Sequence, residues 1–458
     1  MNTAQISWFK EIRASVKLGY PLILTNLAQI AILTTNTIYF GRLGKAELAA
    51  ASLATSLYHV TMIFSLGLVS ATVPMLANVI GQRRSNIRQI RRIVCHGLLS
   101  AVLIVLPFWL VLWHADKLLL LLGQQPETVK RGLPYMHSLQ WGLLPYLWYI
   151  VLRSFLAALE RPLWTLLVAC FGIALNALLG WILIFGAFGL PAFGLVGGGW
   201  SATLTSLFMF LGMTTLVYKK RPFRRFRVLG NWWRFEWVML SQMWRLGVPI
   251  AITFTLETLI FYAGVLMMGL IGETALAAHA IAMQICAVTY MIPLGFSQVA
   301  TIRVGLAYGR AHLAAAVRSG WVSYGLGVGF MACAALVMWL MPEQLVSFFI
   351  RPDNIENRAV LLLATQFLLF AAIFQIADGA QAVAAGMLRG LYDTRTPMFL
   401  ALVGYWLLGV PIGAFLAFGV QLQGVGIWLG FITGLTVVAI LLTLRWHRFG
   451  VRLQARMP

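Results

Sequence analysis

Long apolar runs separated by short polar stretches dominate the chain and predict its secondary structure. Each run is long enough for an α-helix that crosses a bilayer, which needs about 20 apolar residues. Twelve runs fall at residues 17–40, 46–79, 93–114, 132–157, 163–187, 192–218, 242–268, 274–307, 320–341, 359–388, 398–418 and 424–444. The pattern predicts an all-α integral membrane protein with twelve transmembrane helices.

The composition supports this fold class and excludes a soluble protein. Of the 458 residues, 60% are hydrophobic and only 10% are charged, whereas about a quarter of the residues of a soluble domain are charged. The lipid bilayer is therefore the expected environment of most of the chain.

The basic residues divide unevenly between the two sides of a twelve-span arrangement. Only seven of the 34 lysines and arginines fall on one side, and the other 27 lie with the two termini. Because cytoplasmic loops are enriched in Lys and Arg, both termini are expected in the cytoplasm. The net charge of +21 is thus explained by topology, and no nucleic-acid module accompanies it. The expected location is the cytoplasmic (inner) membrane.

The two halves of the chain resemble each other at an offset of 228 residues without a gap. The matching residues are Pro21 and Pro249, Gly41 and Gly269, Gly44 and Gly272, Leu48-Ala49-Ala50 and Leu276-Ala277-Ala278, Leu66-Gly67 and Leu294-Gly295, and Gly81 and Gly309. A repeat of six spans inserts both halves in the same orientation, so we predict two six-helix lobes related by a pseudo-two-fold axis along the membrane normal. The predicted lobes are residues 1–220 and 239–458, joined by a basic cytoplasmic linker at 221–238.

Two acidic residues stand out because they lie in the middle of predicted spans. Glu257 is in the seventh helix and Asp378 in the tenth, whereas the other acids fall in tails, loops or helix ends. A charge at the bilayer centre costs at least about 2.5–3.5 kcal/mol, so such residues usually face a cavity on an ion or proton path. No basic residue mid-span in the C-terminal half is apparent as a structural partner. We therefore predict that both carboxyls carry the coupling ion, Na⁺ or H⁺.

Polar and aromatic side chains near these acids, and in the first half, are further candidates. Aromatic faces can help to hold a cation, which makes Phe261 and Tyr290 candidate members of the ion site. Gln29 occupies the position that matches Glu257 in the repeat, and amides do not titrate, so ion coupling is expected in the C-terminal lobe alone. Candidate residues of a polar substrate cavity are Gln29, Asn36, Asn176, Gln284 and Gln381.

Several classes of activity lack their sequence patterns. Gly41-Arg42-Leu43-Gly44-Lys45 has the wrong spacing for a phosphate-binding loop, and the histidines form no zinc motif. We therefore expect no enzymatic activity, no catalytic residues, no ATP hydrolysis and no cofactor beyond the coupling ion.

The chain resembles the multidrug and toxic compound extrusion family over essentially its whole length. The residues that carry the resemblance are Pro21, Asn36 and Gly41 in the first helix, Pro249 and Glu257 in the seventh, and the stretch 377–390 in the tenth. The resemblance implies a two-lobed exporter of bulky, often cationic compounds that is driven by Na⁺ or H⁺. It also implies that Glu257 and Asp378 form the cation site, with Phe261 and Tyr290 as aromatic ligands and Asn176 as a polar residue of the first lobe. Many bacterial members have an aspartate where this chain has Asn36.

The leading hypothesis is a monomeric secondary transporter that exports organic cations in antiport with Na⁺ or H⁺. The alternative is a flippase for lipids or lipid-linked oligosaccharides, which the same two-lobed plan would allow. Basic residues lining the central cavity would favour the flippase, and Arg153 and Arg303 are the candidates for that role.

Overall fold

The computed structural model describes residues 8–82, 86–228, 230, 236–350 and 358–454, and within these ranges it contains helices and no strands. The first six membrane-spanning helices, α1 to α6, are Trp8–Leu43, Lys45–Gly81, Ile87–Trp113, Pro126–Ala158, Leu163–Phe185 and Gly194–Lys219. The last six, α7 to α12, are Trp237–Ile271, Glu273–Gly309, Leu313–Leu340, Arg358–Gly390, Arg395–Gly419 and Gln423–Val451. The prediction of twelve transmembrane helices is confirmed.

The chain forms two compact units whose limits differ from the predicted lobes. The C-terminal unit comprises the described residues up to Ile23, residues 81–82 and the residues from Ile252 onward. The N-terminal unit comprises Leu24–Ile80 and the described residues from 86 to Ala251. Helices α1 and α7 therefore each contribute to both units. Of the predicted linker at 221–238, residues 229 and 231–235 lie outside the described residues.

Local interruptions divide three of the spans. Helix α2 consists of Lys45–Ser70 and Thr72–Gly81, and α4 has a 3₁₀ turn at Gln140–Gly142. Helix α11 contains two π-helical stretches, Leu402–Gly409 and Phe415–Gly419. A π-helical insertion rotates the side chains that follow it, and such insertions are frequent at functional sites.

Glycine permits the close helix packing of the C-terminal unit. A Cβ atom on Gly386 of α10 would lie 2.4 Å from the carbonyl oxygen of Ser297 on α8. A Cβ atom on Gly430 of α12 would lie 2.5 Å from Cα of Gly413 on α11. Small residues at such crossings allow the backbones of membrane helices to approach closely, which supplies the packing contacts that hold helices together in lipid.

Candidate functional site

Four helices of the C-terminal unit bring polar side chains together around Glu257 and Asp378. The hydroxyl group of Tyr290 on α8 donates a hydrogen bond to Oε1 of Glu257 on α7, at 2.9 Å. Nε2 of Gln381 lies 3.1 Å from the same oxygen and 3.3 Å from Oδ1 of Asp378 on α10. The two predicted carboxylates thus share a hydrogen-bond donor, and the structure brings Glu257, Asp378, Tyr290 and Gln381 into one cluster.

The orientation of Gln381 is set by Tyr405 of α11, which sequence reasoning missed. The hydroxyl group of Tyr405 donates to Oε1 of Gln381 at 2.9 Å, which directs the amide nitrogen towards the carboxylates. Tyr405 lies in the first π-helical stretch and is fully buried. Because α-helical spacing alone does not predict a π-helical insertion, no pattern in the sequence indicates this contact.

The two carboxylates differ in exposure. Asp378 is only 4% exposed, whereas Glu257 is partly exposed. Their contacts with Tyr290 and Gln381 use one oxygen of each carboxylate. Carboxylate, amide and hydroxyl oxygens are ligands for hard cations, and a carboxylate can also accept a proton. The cluster therefore has the chemistry to bind either Na⁺ or H⁺.

A basic residue near the end of α10, outside the mid-span region considered in the sequence, also interacts with this cluster. Arg389 of α10 interacts electrostatically with Glu257, Tyr290 and Tyr405. Its guanidinium carbon lies 4.6 Å from the centre of the Phe254 ring. The signal was present in the sequence, because Asp378 and Arg389 are eleven residues apart, or about three helical turns, and so lie on one face of the helix.

Phe261 and Gln284 have surroundings that differ from those of the carboxylate cluster. Phe261 packs edge-to-face with Phe374 and Phe431, at ring-centre distances of 6.0 and 5.9 Å. It lies one turn beyond Glu257 on α7 as part of an aromatic cluster. Gln284 of α8 is exposed, and the structure does not bring it to the carboxylates. The role of both residues in transport stays a prediction.

The predicted polar residues of the first half lie in the N-terminal unit. Asn36 and Asn176 are buried, at 7% and 0% exposure. Oδ1 of Asn36, Nε2 of Gln29 and both amide atoms of Asn176 are buried and have no hydrogen-bond partner among the described residues. Buried polar groups normally have partners, so these atoms indicate sites where water or a ligand could bind.

The two basic candidates for a flippase cavity have different surroundings. Arg303 of α8 donates two hydrogen bonds to the carboxylate of Glu11 on α1, at 2.6 and 2.9 Å. Ser319 of α9 donates to the same carboxylate at 2.8 Å. Glu11 is 3% exposed, so it is a buried partner of Arg303 rather than a solvated residue of a tail. Arg153 of α4 donates to Oδ1 of Asn26 at 2.6 Å.

The acidic, histidine and cysteine side chains do not gather into a resident metal centre in the described part of the chain. Among the residues that the structure describes, no group of three or more His, Cys, Asp or Glu side chains could hold a metal ion.

Comparisons with known proteins agree with the helical plan and the repeat. The MatE family model matches residues 21–182 and 249–415, one match in each half of the chain. A probable multidrug resistance protein NorM from Brucella suis is 54% identical over 441 residues, covering 96% of this chain and 94% of the relative. A protein of the same description from Mesorhizobium japonicum is 48% identical over the same shares of the two chains.

The fold is also found in solved structures of low sequence similarity. The crystal structure of the eukaryotic MATE transporter AtDTX14 is 19% identical and aligns with a TM-score of 0.84, covering 98% of this chain and 99% of that one. Together with the matches of family model and relatives, the twelve helices show that this chain belongs to the MatE family of MATE transporters.

Proposed function

We propose that the protein is a secondary active multidrug exporter that moves bulky organic cations in antiport with Na⁺ or H⁺. The observation that carries the proposal is the pair of carboxylates joined by Gln381 within the membrane-spanning part of the C-terminal unit. The names of the relatives, multidrug resistance proteins, support the substrate class.

The proposed mechanism is competition for the carboxylates of Glu257 and Asp378. In the state open to the outside, Na⁺ or H⁺ neutralises the carboxylates, which weakens the attraction for an organic cation and favours its release. In the state open to the cytoplasm, a new organic cation displaces the ion. Coupling then requires only that each ligand bind the two states with different affinities.

The electrostatics around Glu257 fit this exchange. Glu257 interacts electrostatically with Arg389 and accepts a hydrogen bond from the hydroxyl group of Tyr290. A carboxylate balanced in this way can bind an ion reversibly, because its attraction for a cation is moderated by a neighbouring positive charge.

The uneven distribution of Lys and Arg supports the proposed orientation in the membrane. We propose that this multi-pass protein works as a monomer in the inner membrane, with both termini in the cytoplasm and with no cofactor other than the coupling ion. We also propose that it performs transport without enzymatic chemistry on its substrate.

The test uses purified protein in liposomes with a permanently cationic fluorescent dye, such as ethidium. A Na⁺ gradient and a pH gradient are imposed separately on wild type, Glu257→Gln and Asp378→Asn. We expect one of the gradients to drive dye movement in the wild type and each substitution to reduce the driven rate at least tenfold.

The control is Glu127→Gln, which alters an exposed acid at the start of α4 whose side chain is 71% exposed, and it should transport like the wild type. Driven transport that survives both Glu257→Gln and Asp378→Asn would overturn the assignment of the ion site. If neither gradient moves the dye, the exporter proposal itself is overturned.

A further inference from the structure

A cleft opens between the end of α10, the start of α11 and the last turns of α12 in the C-terminal unit. It encloses about 460 Å³, which lies within the range of about 300–1,000 Å³ typical of ligand pockets. Leu388, Thr396 and Leu444 line it from the three helices in turn. Among its described lining residues, none belongs to the carboxylate cluster around Glu257, so the cleft is a second candidate site.

The α12 wall of this cleft changes from polar to apolar with depth in the membrane. Arg445 and Arg448 line it from the last two turns of α12. Leu441 and Leu444 line it one helical turn deeper in the same span. The four positions are three, one and three residues apart, so their side chains share one face of the helix.

The α11 wall follows the same order. Thr396 lies in the first turn of α11, and Leu400 lies about one turn deeper. Leu441 and Leu444 of the facing helix are 38% and 46% exposed, so the apolar part of the cleft is open to surrounding lipid. A molecule that fits both walls has a polar group near the membrane surface and an apolar chain below it.

The polar end of the cleft carries one uncompensated positive charge. Nε of Arg445 lies 3.1 Å from Oδ2 of Asp393, and the backbone N–H of Thr396 donates to the other oxygen of that carboxylate at 3.3 Å. Asp393 is the only acid among the described lining residues. Arg448 is exposed and has no acidic partner in the described part of the chain. Two arginines and one carboxylate thus leave a net charge of +1.

We propose that the cleft binds an anionic phospholipid whose phosphate lies on Arg445 and Arg448 and whose acyl chains lie along Leu441 and Leu444. A guanidinium group presents paired donors that match two phosphate oxygens. The cleft lies on the side of the membrane that holds the C-terminus, the proposed cytoplasmic side, where basic pockets between transmembrane helices bind anionic headgroups. The inference goes beyond the proposed export function and does not depend on it.

The charge of the cleft favours phosphatidylglycerol over phosphatidylethanolamine. The headgroup of phosphatidylglycerol carries a single negative charge, which balances the net charge of the cleft. Phosphatidylethanolamine has the same phosphate and adds an ammonium group, which needs an acidic partner near the arginines. Asp393 is already paired with Arg445, so Arg448 would repel the ammonium group with no unpaired acid of the cleft to offset the repulsion.

The test compares these two lipids with identical dioleoyl chains. Full-length protein in detergent is titrated separately with dioleoyl phosphatidylglycerol and with dioleoyl phosphatidylethanolamine. Native mass spectrometry resolves the lipid-bound protein and gives the Kd of the first bound lipid. The ratio of the phosphatidylethanolamine Kd to the phosphatidylglycerol Kd is the readout. A loss of folded protein lowers the signal for both lipids alike, so the ratio reports on headgroup recognition.

We expect the wild type to bind phosphatidylglycerol at least about fivefold more tightly than phosphatidylethanolamine. Arg448→Gln should lower the ratio about fivefold, the effect of one basic residue at an anionic lipid surface. Arg448→Lys keeps the charge and should keep most of the preference. Leu444→Trp fills the apolar part of the cleft and should raise the Kd of phosphatidylglycerol to that of phosphatidylethanolamine.

The control is Arg310→Gln, which removes an exposed arginine that follows α8 and lies outside the cleft, and it should keep the wild-type ratio. Three results would overturn the proposal. One is equal Kd values of the two lipids for the wild type. Another is an equal fall of the ratio in Arg448→Gln and Arg310→Gln, which would indicate diffuse attraction to the basic side of the molecule. The third is a Leu444→Trp variant with the wild-type ratio, which would place the lipid elsewhere.

Discussion

At the residue scale, Gln381 connects the two acids of the proposed ion site. Two carboxylates that share one site repel each other, and a donor between them lowers the cost of keeping both ionised. Gln381 supplies this donor to Glu257 and Asp378, and Tyr405 holds its amide in the required orientation. The affinity for the coupling cation is therefore expected to depend on this neutral residue.

The substitution Gln381→Leu tests this dependence. It removes the donor to both carboxylates, so a cation that neutralises them should bind more tightly and leave more slowly. A hydrogen bond to a charged group contributes about 1.5–3 kcal/mol, so the half-saturating concentration of the coupling ion should fall about tenfold or more. The measurement is the initial rate of dye transport in liposomes as a function of external ion concentration.

A glutamine at a distance from the site provides the comparison. Gln344 lies in the short helix Pro342–Ser347 between α9 and α10 and is exposed, so Gln344→Leu should keep the wild-type half-saturating concentration. If Gln381→Leu also keeps it, Gln381 has no part in ion binding.

The residues of the candidate site were predictable to different degrees. Glu257 and Asp378 could be singled out because a mid-span acid is costly in lipid and is rarely present without a function. Tyr405 could not be singled out, because its position depends on a π-helical stretch. The ion pair between Glu11 and Arg303 joins residues 292 positions apart, and no local pattern connects them.

At the element scale, α11 and α12 pack through glycines, and this packing supports the position of Tyr405. A Cβ atom on Gly430 would lie 2.6 Å from the carbonyl oxygen of Gly409, at the end of the first π-helical stretch. We expect Gly430→Ala to push the two helices apart and to lower the free energy of unfolding by about 1–3 kcal/mol. The measurement is thermal unfolding in detergent, followed by the loss of monodisperse protein.

Gly329→Ala is the matched control for this helix contact. Gly329 of α9 has no atom within 4 Å of the position that a Cβ would take, and alanine favours a helix over glycine. This variant should be as stable as the wild type or more so. Equal unfolding temperatures for the Gly430→Ala and Gly329→Ala variants would contradict the role of the α11–α12 contact.

The beginning of α1 is held by a buried ion pair. Glu11 accepts hydrogen bonds from Arg303 of α8 and Ser319 of α9, and the side chains of Glu11 and Arg303 are 3% and 17% exposed. Removing one partner of a buried pair is strongly destabilising, because a charge loses its compensation. We expect Glu11→Gln to lower the free energy of unfolding by about 3–5 kcal/mol, measured by thermal unfolding.

An exposed ion pair serves as the control for the buried pair of Glu11 and Arg303. Glu127 pairs with Arg131 one turn away, at 3.2 Å and on the surface, and exposed pairs contribute about 0–1 kcal/mol. Glu127→Gln should therefore unfold close to the wild-type temperature. The double variant Glu11→Gln with Arg303→Gln should recover part of the loss, since it removes both charges. A single Glu11→Gln variant as stable as the wild type would show that the pair does not hold α1.

At the scale of the whole molecule, the number and order of the spans were predictable and the limits of the compact units were not. A bilayer imposes a minimum length and an apolar composition on every span, so hydropathy alone locates all twelve helices. The units depend on packing between distant segments. Residues up to Ile23 pack with the C-terminal unit, for example where a Cβ on Gly19 would lie 3.2 Å from the Phe296 ring.

The distribution of basic residues also predicts which side of the membrane each loop faces. Of the 34 basic residues, only seven lie on the side opposite the termini, and Lys and Arg in short loops are retained in the cytoplasm. The loop between α5 and α6 should then face the periplasm, and the segment after α6 should face the cytoplasm. Alkaline phosphatase, which is active only in the periplasm, distinguishes the two sides. Fusion after Gly189 should give an active enzyme, and fusion after Lys220 an inactive one. An inactive fusion after Gly189 together with an active fusion after Lys220 would contradict this orientation. Because each span reverses the side of the membrane, that result would place both termini in the periplasm. The 27 basic residues that lie with the termini would then require another explanation.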